Sequence, residues 1–451
     1  MANVYFVSLG CDKNLVDTEV MLALLSENGH TITVDEHEAD VIVVNTCSFI
    51  HDAKEESIET ILELAELKAE GRLKGIVACG CLAERYTEDI KLNLPEVDVT
   101  VGTASYEHIV SAVEDVLKGQ KSSYMDDKNS PAKIHGKRVL SNIGFSAFLK
   151  IAEGCNKNCT YCAIPGIRGR YRSVPMEDVL SEAEMLVRDN GIKELVLVAQ
   201  ETTVYGTDIY GRKALPELLH KLSLIDGLKW IRILYCYPEE ITDELIDEMA
   251  VNPKVCHYLD IPIQHASDHV LKAMGRRTTN AEITERIAAL RSRIPDIILR
   301  TTMMVGFPGE TQEDFETLYN FIDETEFDHL GVFTYSAEED TKAYLMPDQI
   351  EEDVKAARKD EIMTLQQEIN AEILESKVGK TYEVIIEGLL PDAETEDEDF
   401  RIYAGRTYMD APGVDGYFFV QSMRELMTGD VVRAIVTDAA EYDLFGNEII
   451  L

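Results

Sequence analysis

Basic residues are scarce in this chain of 451 residues: 43 lysines and arginines stand against 83 aspartates and glutamates, a formal net charge of −40. A surface that acidic repels nucleic-acid phosphates unless its cations are gathered locally, and it attracts basic proteins. Long apolar runs are missing as well; none approaches the roughly 18–20 residues that a membrane span requires. The opening MANVYFVSLGC carries no basic leader and no small-residue cleavage site, so no secretory signal is expected. The expectation is a cytoplasmic protein with no membrane partner. In that compartment its nine cysteines are more useful as metal ligands or catalysts than as disulfides. Solenoid-type repeats are missing too, and the length exceeds one ordinary core, which points to roughly two to four domains.

The apolar runs that do exist alternate with helical patterns. In residues 1–118 the stretches VYFVSLGC, DVIVVNTC and KGIVACGC read as buried strands of a parallel α/β domain. Cys11, Cys47 and Cys81 each follow one of these strands, 36 and 34 residues apart. Loops after parallel strands border a common crevice, so three residues two βα units apart can meet there. Cys79 lies within its strand and reads as core, whereas Cys81 follows Gly80 into the turn. Residues 119–141 are polar and without period, as a linker would be. From 142 to 375 the rhythm returns as six βα units and a trailing charged helix, which predicts a partial (βα)6 barrel. Catalytic groups of such barrels gather where the strands end. Those ends carry Cys155, Gln200, Tyr235, Gln264 with His265, Gly306, and Tyr335 with Ser336. Short strands in 376–451 predict a small antiparallel β-barrel, with DAETEDED as a solvated acidic loop.

What is missing at the first barrel strand is a fourth thiolate. EGCNKNCTYCAIP, residues 153–165, spaces Cys155, Cys159 and Cys162 as C-x3-C-x2-C. Structural zinc wants four ligands, and no cysteine or histidine follows at finger-like distance. A disulfide would strand one of the three. Electron-transfer 4Fe–4S clusters take four cysteines; with three, one iron stays open to a small molecule.

This spacing, with Tyr161 before the third cysteine, resembles the signature of radical S-adenosylmethionine enzymes. The resemblance implies a 4Fe–4S cluster whose open iron chelates S-adenosyl-L-methionine, with the protein positioning the cofactor chemistry. The order of domains, over nearly the whole chain, resembles the methylthiotransferases. That implies a second 4Fe–4S cluster on Cys11 in SLGCDKNLVD, Cys47 in VVNTCSFI and Cys81 in CGCLAERY, and a TRAM-like C-terminal barrel. Cys79, Cys236 and Cys256 match no ligand motif. SLGCDKNLVDTE, LVAQETTVYGTDIYG, IPIQHASDHVLKAMGRR and GVFTYSAEEDTKA resemble the RimO-type branch. Its members place a methylthio group on the β-carbon of an aspartate in small-subunit ribosomal protein twelve. Asp12 departs from the proline usual after the first cysteine, a change in loop rigidity more than in ligation.

The resemblance further implies two equivalents of S-adenosylmethionine, a sulfur donor and a flavodoxin-type reductant. The competing branch modifies an isopentenylated adenosine in tRNA. From Ser376 onward, however, 6 basic residues face 16 acidic ones, which suits a basic ribosomal protein and makes RNA binding unlikely from charge. A non-enzymatic iron–sulfur protein is a third reading; open coordination at both clusters argues against it. Among cofactor contacts, Gln200 and Gln264 either bind the adenosylmethionine or cap local backbone. Gly306 in VGFPGE either approaches the cofactor or forms an ordinary turn. Arg170, with Arg168 and Arg172 in GIRGRYRS, faces a cofactor or substrate carboxylate or pairs with nearby glutamates. His265 reads as structural, and no acid–base pair is expected.

Overall fold

The computed structural model describes residues 1–132, 136–141, 144–391 and 400–449; the DAETEDED stretch expected as an acidic loop lies outside them. The first apolar runs form a six-stranded sheet. Its strands are β1 (Asn3–Ser8), β2 (Thr31–Thr33), β3 (Val41–Thr46), β4 (Gly75–Gly80), β5 (Val97–Val101) and β6 (Ser122–Tyr124), ordered β2-β1-β3-β4-β5-β6. Every residue of β3 and β4 is buried, the near-continuous apolar pattern of strands covered on both faces. The short edge strand β6 falls in the stretch expected to be a linker. It pairs with β5 from Val99↔Ser122 onward; three residues at an edge are held by backbone pairing and carry no readable period.

A second sheet follows, after the intervening pair β8 (Ala152–Glu153) and β9 (Arg172–Ser173) is set aside. It comprises β7 (Ser146–Lys150), β10 (Glu194–Val198), β11 (Trp230–Ile233), β12 (Val255–Gln264), β13 (Ile298–Val305) and β14 (His329–Thr334), in sequential order and parallel throughout. This is the expected partial barrel of six βα units. Antiparallel β8 and β9 bracket the cysteine triplet.

The last strands, β15 (Thr381–Leu389), β16 (Arg401–Arg406), β17 (Phe418–Ser422), β18 (Val431–Ala440) and β19 (Asp443–Glu448), close a barrel in the order β15-β16-β17-β19-β18. One pairing departs from the antiparallel expectation: β17 and β19 run parallel, Phe418 opposite Leu444. Strand β18 crosses to pair with β15, and its hairpin partner β19 returns alongside β17. This barrel packs where the strands of the second sheet begin. Phe145, Trp230 and Ile298 share an apolar cluster with Ile385 and Phe418.

The other end of the partial barrel receives the first helix, Asp12–Glu27. The stretch LVDTEVMLALLSENG reads as an amphipathic helix, yet its Asp17 and Glu19 are buried together with Met21 and Leu25, as are Lys13 and Asn14 just before it. Its polar side is covered because cations from beyond the first sheet supply counter-charges, Lys150 of β7 to Asp17 among them. Arg138, from the expected linker, bridges Glu19 at 2.5 Å and Glu182 at 2.7 Å. Among the described residues no helix is long and apolar enough to cross a membrane.

Candidate active site: two cysteine triads across a seam

Cys11 opens the first helix, Cys47 follows β3 and Cys81 follows β4. All nine cysteines are free thiols. Their loops are tied together by one side chain, Asn14. Its amide nitrogen donates to the Leu9 carbonyl at 2.9 Å and the Thr46 carbonyl at 3.1 Å, steadying the loops that carry Cys11 and Cys47. Its amide oxygen lies 3.9 Å from Cys81 Sγ. The Cys11 loop rests on Cys47 so closely that a Cβ on Gly10 would sit 3.1 Å from the Cys47 sulfur. Burial pushes the Cys81 thiol up to about 12; Arg168 opposes this, while charge on Cys11 and Cys47 adds to it. The three sulfurs thus share one electrostatic neighbourhood.

Gly80 turns β4 into Cys81 at φ 88°. A Cβ there would meet Asn45 Oδ1 at 2.3 Å and the Thr46 carbonyl at 2.8 Å. Gly80→Ala is therefore expected to destabilise this turn by about 1–3 kcal/mol from backbone strain alone. A denaturation midpoint lower than the parent's, with less iron retained on reconstitution, would check it.

The second triad sits in the loop between β8 and β9. Cys155 and Cys159 are buried and Cys162 is half-buried. The loop is pinned from the barrel: Thr160 donates to Met274 and Ala273 carbonyls, each at 2.9 Å. Tyr237 Oη lies 3.7 Å from Cys159 Sγ, with the Arg276 guanidinium 4.1 Å from the Tyr237 ring centre. Burial pushes Cys155 up to about 11 and Cys162 up to about 12, with the other thiols of the triad adding to the rise. Thiols held so high bind metal only as the metal displaces their protons.

The strand ends around this loop fit a polar cofactor. Gln200 Oε1, Glu201 Oε2, Arg276 Nε, Tyr335 Oη and, from the first domain, Asp12 Oδ2 are buried without hydrogen-bond partners. Buried polar atoms are rarely left so, and a bound polar molecule would satisfy them. Burial raises Glu201 to about 7, against the opposing Thr203 hydrogen bond and Lys157, with Glu240 and Glu239 adding to the rise. Two strand ends are also strained: Tyr235 and Gln264 hold φ of 62° and 76°, where non-glycine residues are uncommon. Among the described residues no three His, Cys, Asp or Glu are grouped to hold a single metal ion. A cubane binds its thiolates at separate iron corners, which a single-ion grouping does not describe.

The remaining expected contacts are placed as follows. Gln264 ends β12 and is half-buried. Gly306 has φ 74°, and a Cβ there would strike the Lys355 side chain at 2.2 Å, so this glycine admits a neighbouring lysine. Arg170 is exposed, and its backbone N–H donates to Asn129. His265 is fully buried, lowered to about 3 by burial, as a structural histidine would be.

The helix that follows the second triad reaches the first triad across the seam. The short helix Ile164–Arg168 begins two positions beyond Cys162 and ends in an arginine whose Nη2 reaches Asn14 Oδ1 at 2.5 Å and Cys81 Sγ at 3.9 Å. Nearby, Tyr235 Oη donates to Asp12 Oδ1 at 3.1 Å, and Lys13 Nζ sits 3.2 Å from the Tyr235 ring centre. Arg85 pairs with Glu338 at 3.3 Å and Tyr86 Oη donates to Glu339 at 3.1 Å. Asn14, Glu201, Lys13 and Arg276 all carry this geometry, and motif reading does not single them out. Lys13 and Asn14 are signalled only by following Cys11 and Glu201 only by following β10, while Arg276 lies beside neither a cysteine nor a strand end.

A partial (βα)6 barrel with a C-x3-C-x2-C loop after its first strand defines a radical S-adenosylmethionine enzyme, and residues 149–322 match the radical SAM superfamily. Residues 3–102 match the uncharacterized protein family UPF0004, and residues 378–449 a TRAM domain. The ribosomal protein uS12 methylthiotransferase RimO of Lachnoclostridium phytofermentans is 58% identical over 98% of this chain and 99% of its own length. That of Thermoanaerobacter sp. is 50% identical over 99% of this chain and all of its own. The chain belongs to the RimO methylthiotransferase family. In fold it also resembles the radical S-adenosylmethionine methyltransferase TsrM of Kitasatospora setae, with a TM-score of 0.54 at 15% identity over 87% of this chain and 79% of that one.

Proposed function

We propose that this enzyme replaces a hydrogen on the β-carbon of an aspartate of ribosomal protein uS12 with a methylthio group, using two 4Fe–4S clusters. Cys155, Cys159 and Cys162 would hold one cluster, and Cys11, Cys47 and Cys81 the other. The observation that carries the reading is the contact of Arg168, on the helix that follows Cys162, with Cys81. That contact supports a reading in which the two clusters lie on either side of one seam, so that sulfur held at one would pass to a carbon activated at the other. When bound, the groups supply an electron for cleaving S-adenosylmethionine and a sulfur for transfer.

The chain's own residues do the rest. Glu201, with one free buried oxygen, suits the ammonium of the methionine moiety; Gln200 precedes it just past the end of β10, and Gln264 ends β12, two strands along the sheet. Gly306 shapes its turn around Lys355, and the exposed Arg170 stands at the rim. Arg85 and Tyr86 hold the first domain over the barrel mouth and exclude water, which protects a radical from side reactions. An aspartate side chain entering this seam meets the buried ammonium of Lys13. The acidic surface suits a basic ribosomal protein in the cytoplasm, and the −10 balance after Ser376 speaks against tRNA. A one-electron donor of flavodoxin type would supply the reductant.

The test is anaerobic turnover of the reconstituted chain with S-adenosylmethionine, sulfide, reductant and uS12. One methylthio group per uS12, on an aspartate, is expected. Formation of 5′-deoxyadenosine with uS12 mass unchanged, with both clusters loaded, would overturn the substrate assignment.

A further inference from the structure

We propose that Arg168 sets the reduction potential of the cluster on Cys11, Cys47 and Cys81, acting on it from the opposite side of the seam. The inference rests on the two-cluster reading above. Arg168 is 2% exposed. Its Nη1 is held by Asp17 Oδ2 at 2.8 Å and Glu153 Oε1 at 3.1 Å. Its Nη2 is thereby aimed at Asn14 Oδ1 and, 3.9 Å away, at the Cys81 sulfur. Lys150 pairs with the same two carboxylates, so Asp17 and Glu153 are shared between two cations and the guanidinium keeps its charge toward the sulfur.

A hydrogen-bond donor and a positive charge beside a cluster sulfur favour the reduced, more negative cluster and raise its potential. Asp17 and Asn14 belong to the first helix and Glu153 to β8, so the guanidinium is held from both sides of the seam. Arg168 is a positioning residue in this scheme; it touches a ligand and no reacting atom.

The experiment is an anaerobic redox titration of the full-length, reconstituted chain, following each cluster's spectroscopic signal, with iron counted in every sample. In Arg168→Met the N-terminal cluster is expected to need a lower potential for half-reduction. The expected change is about a tenfold shift in the oxidised-to-reduced ratio at fixed potential, which for one electron is about 59 mV. The radical cluster's midpoint stays fixed as an internal reference. Arg168→Lys keeps a cation at shorter reach and is expected to shift the same way by less; it decides the matter if the methionine variant loses iron. Arg138→Met breaks another buried contact of the seam, with Glu19 and Glu182, and touches no cysteine; its midpoint is expected to match the parent's. An unmoved midpoint in an iron-replete Arg168 variant, or an equal shift in Arg138→Met, overturns the inference. A parent chain that shows only one cluster overturns the two-cluster reading beneath it.

Discussion

Cys159→Ala is expected to abolish reductive cleavage of S-adenosylmethionine, and Cys81→Ala to leave that cleavage running while abolishing methylthio transfer. With one 4Fe–4S cluster on each triad, as proposed, each variant is expected to retain about four of about eight irons. The two outcomes would then differ because the two proposed clusters serve different steps. Cys159 lies in the barrel loop beside Tyr237, amid the free polar atoms of Gln200, Glu201 and Arg276. Cys81 lies in the first domain beside Asn14 and Arg168. Losing an outer partner of a metal site costs about 10–100-fold; losing a ligand outright is expected to cost more than that at the affected step. Chromatography of 5′-deoxyadenosine and the mass of uS12 read the two steps separately. Cleavage lost equally in both variants would mean that the triads act as one site.

The six cysteines proposed as ligands are the part of the candidate site most legible in the sequence. Cys155, Cys159 and Cys162 announce themselves by spacing, and Cys11, Cys47 and Cys81 by ending successive strands. Arginines 168, 170 and 172 are legible only as a cluster. The fold separates them: Arg168 turns inward to Asp17, Glu153 and Cys81, and Arg170 outward to solvent. Their spacing does not sort them, because the deciding partners Asn14 and Asp17 lie more than 150 residues away in sequence. For the same reason Asp17 and Glu19, in the stretch LVDTEVMLALLSENG, read as the wet face of an amphipathic helix. Periodicity assumes water on the polar side, and here a second domain takes water's place. The parallel sheets and the partial barrel are legible because β3, β4 and β10 are buried throughout and mostly apolar, whereas the three-residue edge strands carry too few side chains to show a pattern. Asp12 is informative in a different way. Where its relatives by motif usually carry a proline, this chain has a carboxylate that accepts from Tyr235 and pairs with Lys13 at 3.0 Å, so the departure adds a tie across the seam.

Glu194→Gln is expected to destabilise the docking of the C-terminal barrel by about 3–5 kcal/mol, the usual cost of breaking a buried ion pair from one side. Glu194 opens β10 and is fully buried between two cations, Arg232 of β11 at 2.8 Å and Arg406 of β16 at 2.7 Å. Arg232 also donates to the Tyr408 carbonyl at 2.7 Å, and Arg406 to the Asp410 carbonyl at 2.8 Å. One carboxylate therefore serves both guanidiniums; an amide would leave Arg232 buried without a counter-charge, while Arg406 would keep only Glu387, at 2.5 Å. Arg406→Met is expected to cost less, since Glu194 would keep Arg232. Burial alone would raise the Glu194 pKa, but Arg406 and Arg232 outweigh it and hold the group at about 2 against an ordinary 4.5. A depressed folded-state pKa contributes stability that is complete above the unfolded value and is lost as pH falls through the folded one. The parent's denaturation midpoint is therefore expected to fall between about pH 4.5 and 2 more steeply than that of Glu194→Gln, which has no proton to take up there. Parallel midpoint curves for the two proteins across that window would show that this carboxylate does not carry the docking.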